Sequence, residues 1–227
     1  MIDVTPDFVL LERIVGARRS VRAFRPGPVP DELLGRALAL AQQAPSNCNT
    51  QPWTVHIVSG VAAERTRAAL LQAAADGPAR PDFPFGAPYA GVHRERQIGA
   101  ARALYGALGI DREDLAGRRA AALDNYRFFG APHAAFLFVD AGMSARETWD
   151  AAMFAQTLML GLAALGIGTC AQGALAHYPD AVRDVLGLPP ALRLLFGIAI
   201  GWPDEAHPTA RALTARAPVA DCVTFHR

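Results

Sequence analysis

The chain predicts an α+β fold. Three observations carry this: runs of β-branched and aromatic residues are few, helical-period segments separate them, and glycine or proline breaks the chain at most junctions. From Asp7 to Ala17, Phe8, Val9, Leu11, Ile14 and Val15 recur at helical spacing, so Arg18 to Ser20 lie at a helix exit. Arg25-Pro26-Gly27-Pro28-Val29-Pro30 then breaks the chain, and Asp31 opens a second helix that Pro45 ends at about Ala44. Trp53 to Ser59 reads as a strand, which places Asn47 to Gln51 on a helix-to-strand loop, where ligand contacts usually sit.

A helix from about Ala62 to Ala75 precedes Gly77 to Gly91, a stretch too irregular for regular structure and the expected mobile part. Two helices follow, about His93 to Leu108 and Asp111 to Asp124. Ala134 to Asp140 reads as a buried strand, Arg146 to Leu165 as a long helix and Gly166 to Gly173 as a glycine-punctuated turn. Pro179 to Leu186 is a short helix, Leu192 to Ile200 an apolar strand, and residues 202–227 an arm ending in a strand at Cys222 to His226.

At 227 residues, one domain is a simpler expectation than two, and 52% hydrophobic content supplies its core. A net charge of +1, with no basic run longer than two residues, argues against nucleic acid as a partner. All 22 basic residues are arginine, so Schiff-base and P-loop lysines are excluded. Cys48, Cys170 and Cys222 are odd in number and lack ligand spacing, which argues against a disulfide framework or structural zinc and for a reducing, cytoplasmic setting. Met1 to Asp7 carries acids and a proline where a signal peptide needs basic and then apolar residues. Ala151 to Gly168 is the most apolar stretch, but Gln156 and Thr157 interrupt it, and it reads as a buried helix rather than a membrane span.

Two segments carry chemistry. Arg18-Arg19-Ser20-Val21-Arg22 offers guanidinium forks and a hydroxyl to phosphate oxygens, in charge-assisted bonds worth about 1.5–3 kcal/mol each. Pro45-Ser46-Asn47-Cys48-Asn49-Thr50-Gln51-Pro52-Trp53 offers amides that donate and accept together, as a heterocycle edge requires. With both in this order and separation, the chain resembles the FMN-dependent nitroreductase superfamily from about Arg13 to His226. Tyr89 to Gln97 and Asn125 to Pro132 are most similar to its nitrobenzoate-reductase branch.

The resemblance implies a mostly antiparallel central sheet flanked by helices, residues 77–127 as a substrate-side insertion, and an arm exchanged in a homodimer. It implies that Arg18, Arg19 and Ser20 hold the FMN phosphate and that Arg22 faces the N1–C2=O edge, stabilising charge that develops there and raising the reduction potential. Pro45, Ser46, Asn47 and Asn49 would reach the flavin from the second subunit, with Gln51 adding to them. Gln172 and Gly173 match the stretch whose backbone N–H approaches flavin N5, although this chain has Cys170 and Gln172 where the family often has proline and glutamate. Arg216 would complete the phosphate site, with Thr214 where a second basic residue is common. Asn125 is either a flavin-edge amide or a helix C-cap. Arg94, Arg96 and Arg127, with Phe128, are candidate substrate contacts; for each arginine, a substrate carboxylate and a plain surface role are the two readings.

The implied activity is ping-pong hydride transfer from NADH or NADPH, through FMN, to small nitroaromatics that become hydroxylamines. No catalytic side chain is needed beyond Arg22, since the cofactor carries the reaction. The six histidines have no partner at a catalytic spacing, and no basic residue adjoins Cys170 in sequence to activate it. Competing readings are a halotyrosine-type reductive dehalogenase, which shares the arginine cradle but uses a lid lysine absent here, a quinone or flavin reductase, and an FMN storage or scaffold protein.

Overall fold

Among the described residues four segments pair into one sheet: β1 (Thr54–Ser59), β2 (His133–Asp140), β3 (Gly168–Gln172) and β4 (Leu192–Gly201). Their order is β1-β2-β4-β3 and every pairing is antiparallel. This computed structural model describes residues 5–84 and 86–227; Met1 to Val4, part of the signal-peptide argument, and Phe85 of the irregular stretch lie outside the described residues.

Strand β2 is buried from His133 to Val139, the near-continuous apolar run of a strand covered on both faces. Its alternation divides the interior in two. Ala134, Phe136 and Phe138 pack with Leu70 and Val182, under α3 (Gly60–Asp76) and α7 (Pro179–Leu186). Ala135, Leu137 and Val139 pack with Leu34, Phe154 and Leu158, under α2 (Asp31–Ala41) and α6 (Ala145–Ala164). On that second side a Cβ on Gly161 would come within 3.1 Å of Leu40, so α2 and α6 approach closely there.

The segment read as a glycine-punctuated turn is instead β3, and only Gly166, at φ +73°, turns. Gly168 is there for close approach: a Cβ on it would lie 2.9 Å from Val21 Cγ2 and 3.3 Å from the Gly201 carbonyl. The second correction is the C-terminus. Cys222 to His226 forms no strand, because no described strand of this chain offers it a ladder; a short 3-10 turn at Val219–Asp221 precedes it.

Among the described residues three α-helices carry no buried residue: α1 (Pro6–Ala17), α4 (Gly91–Leu108) and α5 (Leu115–Leu123). Helix α5 starts later than the sequence implied because the Asp114 carboxylate caps it, accepting from Gly117 N–H at 2.8 Å. No described helix is long and apolar enough to cross a membrane.

The irregular stretch is pinned at its start rather than loose. Arg183 of α7 bonds both Asp82 oxygens (2.6 and 3.1 Å), the Leu192 carbonyl (2.9 Å) and Asp180 (2.6 Å). Asp82 also accepts from Leu194 N–H at 2.7 Å, while the Arg193 guanidinium stacks 4.0 Å over Phe83. His133, at the head of β2, accepts Val29 N–H on Nε2 at 2.9 Å, a bond that only the deprotonated nitrogen can make. Burial lowers its pKa, against a smaller raising pull from Asp31.

Arg183→Ala strands a largely buried carboxylate and should cost about 3–5 kcal/mol in urea or guanidinium unfolding. Because the folded-state pKa of His133 lies below the unfolded value of 6.5, its contribution is complete above pH 6.5 and is lost as pH falls through the folded pKa. Stability measured from pH 7.5 down to 5 should therefore decline, and His133→Gln, which keeps an acceptor but no titration, should flatten that decline.

Candidate active site

Helix α1 ends at Ala17, and Arg18 leaves it in extended backbone (φ −64°, ψ 119°). The chain then runs along the free edge of β3: Ser20 bridges Thr169 in parallel, and Val21 N–H donates to the Thr169 carbonyl at 2.9 Å. Beyond Arg22 it pairs with residues 202–204, through Arg25 N–H to the Trp202 carbonyl and Asp204 N–H to the Ala23 carbonyl. Extended backbone alternates its side chains. Arg18, Ser20 and Arg22 thus share one face, and all three act on the Cys170 thiol of β3.

Arg19 falls on the other face. It ion-pairs with Glu205 at 2.6 Å and donates to the Ala210 carbonyl at 3.1 Å, which ties the helix exit to the start of the C-terminal arm. With Arg18 and Val21 it lines a small cleft of about 160 Å³ that Ser20 and Arg22 do not reach. Cys170, although no basic residue adjoins it in sequence, is brought against two arginines in space. Burial nevertheless pushes its thiol pKa up, outweighing the lowering pull of Arg22, Ser20 and Arg18, so it stays a neutral thiol.

The loop from Pro45 to Gln51 is held from behind. Asn47 N–H donates to Asp150 Oδ2 at 2.9 Å, Gln51 N–H to Ser46 Oγ at 2.9 Å, and Gln51 Nε2 to the Asn49 carbonyl at 3.1 Å. Cys48, Asn49 and Gln51 have φ of +50°, +56° and +46°, a left-handed path that costs side-chain-bearing residues about 1–3 kcal/mol each. The side chains of Pro45, Asn47, Asn49 and Gln51 face outward, exposed. Among the described residues no hydrogen bond joins this loop to the arginine face.

At the far end of β3, Gln172 is buried and donates Nε2 to the Asn125 carbonyl (3.0 Å) and Oδ1 (3.2 Å). Asn125 Nδ2 donates in turn to the Ala122 carbonyl at 3.0 Å, the capping role, while its Oδ1 serves Gln172. Gln172 Oε1 is buried with no partner among the described residues, an acceptor whose desolvation costs about 1–3 kcal/mol unless an N–H reaches it. Gly173 follows, exposed.

Phe128, expected near substrate, is fully buried, edge-on to Phe136 at 6.0 Å with Arg67 stacked over it at 5.0 Å. Its aromatic neighbour in sequence reaches the site instead. Phe128, Phe129 and Gly130 are all left-handed (φ +56°, +54°, +80°), and this run turns Phe129 into a cavity of about 370 Å³ shared with Arg22, Phe24, Leu104, Leu108 and Arg127. Arg127 is paired there with Asp124 at 3.0 Å. Arg94 bonds Gln97 at 2.6 Å and lies on a separate cleft, and Arg96 lines neither. Arg216 is exposed on the arm, bonded to Thr214 Oγ1 at 3.1 Å and to backbone carbonyls beside it.

Sequence reasoning missed Asp150 and Glu205. Asp150 is 4% exposed, and its signal was available: a lone acid within the apolar face of a buried helix needs a partner. The donor set fits FMN. Arg18, Ser20 and Arg22 form a cationic, donor-rich face suited to phosphate and a carbonyl edge, and Gln172 Oε1 is an acceptor awaiting an N–H.

Comparison with known proteins supports the same assignment. The Nitroreductase family model matches residues 15–202. The chain is 41% identical over 217 residues to "Nitroreductase NfnB" of Mycolicibacterium smegmatis, covering 95% of this chain and 92% of that relative. It is 35% identical over 202 residues to a "4-nitrobenzoate reductase" of Pseudomonas putida, covering 89% and 88%. The crystal structure of the FMN-dependent nitroreductase NfnB from Mycobacterium smegmatis in complex with NADPH superposes with a TM-score of 0.93 at 40% identity, over 97% of this chain and 100% of that one.

Asp150→Ala leaves Asn47 N–H without its acceptor and should cost about 1–3 kcal/mol in chemical unfolding. Asp150→Asn keeps an acceptor oxygen and should recover most of the loss; equal losses in both variants would mean that the charge, not the hydrogen bond, holds the loop.

Proposed function

The chain belongs to the nitroreductase family, and from that premise we propose that it is an FMN-dependent NAD(P)H oxidoreductase that reduces nitroaromatics, nitrobenzoates among them, to hydroxylamines. The observation that carries the reading is the shared face of Arg18, Ser20 and Arg22 along β3. Bound FMN would supply two-electron transfer from NAD(P)H to the aromatic acceptor, and two such ping-pong turns, each using one NAD(P)H, would take nitro to nitroso and nitroso to hydroxylamine.

The chain's own residues hold and polarise. Arg18 and Ser20 take phosphate oxygens, and Arg22 sets a fixed cation at the pyrimidine edge, stabilising negative charge as it develops. Gln172 and Gly173 line the approach from the end of β3, with Asn125 fixed by Gln172. Arg19 braces the segment through Glu205, so the face opposite it keeps its orientation. The apolar walls of the Arg22 cavity, Phe24, Leu104, Leu108 and Phe129, exclude water and suit a flat aromatic acceptor. A halotyrosine dehalogenase fits less well, since no lysine is present to meet a zwitterion.

The working unit is a homodimer in the cytoplasm. Phe8, Leu11 and Val15 of α1, Trp149 and Met153 of α6, and Leu213, Val219 and Phe225 of the arm are exposed apolar groups that a second copy would cover. In that assembly the loop from Pro45 to Gln51 and Arg216 would come from the neighbour, and residues 77–127 would form the substrate side of a single domain.

The purified protein should be yellow; anaerobic NADPH should bleach it and 4-nitrobenzoate restore the colour, with parallel double-reciprocal plots. Arg18→Ala and Ser20→Ala should each weaken FMN binding about tenfold or more in fluorescence titration. Arg22→Ala should lower the flavin potential and slow reduction more than it weakens binding. A colourless chain that refuses FMN in titration would end the proposal.

A further inference from the structure

A second cleft, of about 610 Å³, opens between α4 and α5 and exceeds the Arg22 cavity in volume. One stripe of α4 lines it with Arg94, Arg102 and Tyr105, and Arg112 and Arg118 close it from the following turn and α5. Among the described residues four arginines there meet a single lining acid, Asp111. Arg118 stacks 5.0 Å over Tyr105 and donates to the Arg112 carbonyl at 3.1 Å, fixing its fork at the cleft wall.

Ordinary helix-surface pairing does not explain the cluster. On a solvated helix, an acid three or four residues from an arginine would compensate its charge. For Arg102 those positions are Ile98, Gly99, Tyr105 and Gly106, and for Arg94 they are Ala90, Gly91, Gln97 and Ile98. Asp114, four residues before Arg118, is turned to capping Gly117. Like charges from α4, the turn and α5 thus converge with only Asp111 to offset them among the described lining residues, and a bound anion would supply the remaining compensation.

We propose that this cleft is a phosphomonoester site that takes the adenosine 2′-phosphate end of NADPH and so selects NADPH over NADH. The inference rests on the NAD(P)H-dependent reading above. A carboxylate is satisfied by one guanidinium fork, whereas a phosphomonoester, with close to two charges and three free oxygens, engages several. Tyr105, Ile98 and Ile110 add the aromatic and apolar surface that a purine needs. The same helix presents Leu104 and Leu108 to the Arg22 cavity, so a dinucleotide laid across α4 meets both sites.

The test is calorimetric titration of the FMN-loaded protein with 2′,5′-ADP and with 5′-AMP, which differ only in the 2′-phosphate. The 2′,5′-ADP should bind at least about tenfold tighter, with the advantage shrinking as salt rises. Arg102 and Arg112 are exposed, so their replacement spares the core. Arg102→Ala and Arg112→Ala should each lose most of that advantage, with 5′-AMP affinity unchanged, and Arg102→Lys should restore part of it. In turnover the same variants should raise KM for NADPH but not for NADH. Equal affinity for the two nucleotides overturns the inference, as does a rise in KM for 4-nitrobenzoate alone, which would make the cleft a carboxylate site. Tight 2′,5′-ADP binding by a protein that never passes electrons would support the cleft and sink the enzymatic proposal instead.

Discussion

The bond from Val21 N–H to the Thr169 carbonyl, 2.9 Å long, sets which side chains of residues 18–22 face the site. Pairing an extended segment against a strand edge fixes its alternation, so Arg18, Ser20 and Arg22 go one way and Arg19 and Val21 the other. A slip of one residue would exchange the two sets and present one arginine where two now stand with a hydroxyl. Register here depends on small residues: Gly168 admits Val21 at a distance that a Cβ would forbid, and Gly201 lies under Pro132 and Phe24 with as little room. The sheet edge, the glycines and the cationic face form one device.

Charge and strain are then distributed around that edge. Arg19 is neutralised by Glu205, which leaves the uncompensated positive charge on the face that adjoins Cys170. Buried Cys170 adds a small neutral group there, not a nucleophile, because desolvation outweighs the nearby guanidinium groups. Left-handed backbone recurs at Cys48, Asn49 and Gln51 and at Phe128 to Gly130, the two segments that bring amide and aromatic groups outward or into the Arg22 cavity. Asp150 and the buried Phe128 ring brace those segments from within, so the strain is offset by packing and hydrogen bonds in the layers behind.

Long periodic elements were legible in the sequence. Strands β2 and β4 and helices α6 and α7 declare themselves through unbroken apolar runs or helical spacing, and the structure moves their ends by one residue at most. Strand β3 was not legible, because five residues flanked by glycines read as a turn until β4 and residues 20–21 pair with both its edges. The strand read at Cys222 to His226 failed for the converse reason: propensity without a ladder partner forms nothing. Of the site, the arginine cluster was visible as residue types in a spacing. The division of Arg19 from Ser20 and Arg22 and the inward turn of Phe128 depend on register and backbone handedness, which composition does not encode.

Helix α4 joins these threads. It has no buried residue of its own, yet adjacent stripes of it line the Arg22 cavity with leucines and the neighbouring cleft with arginines. A helix that contributes nothing to the core can change its facing residues at little cost in stability, since surface substitutions away from packed or bonded groups usually stay within about 0.5 kcal/mol. Residues on β3 have no such freedom: Gly168 and Cys170 are packed against the segment that holds the cationic face. The fold therefore puts its cationic face on a sheet edge locked by sterics and the arginine-lined cleft on two helices locked by little. Side chains can change in α4 and α5 while those along β3 stay where the ladder puts them.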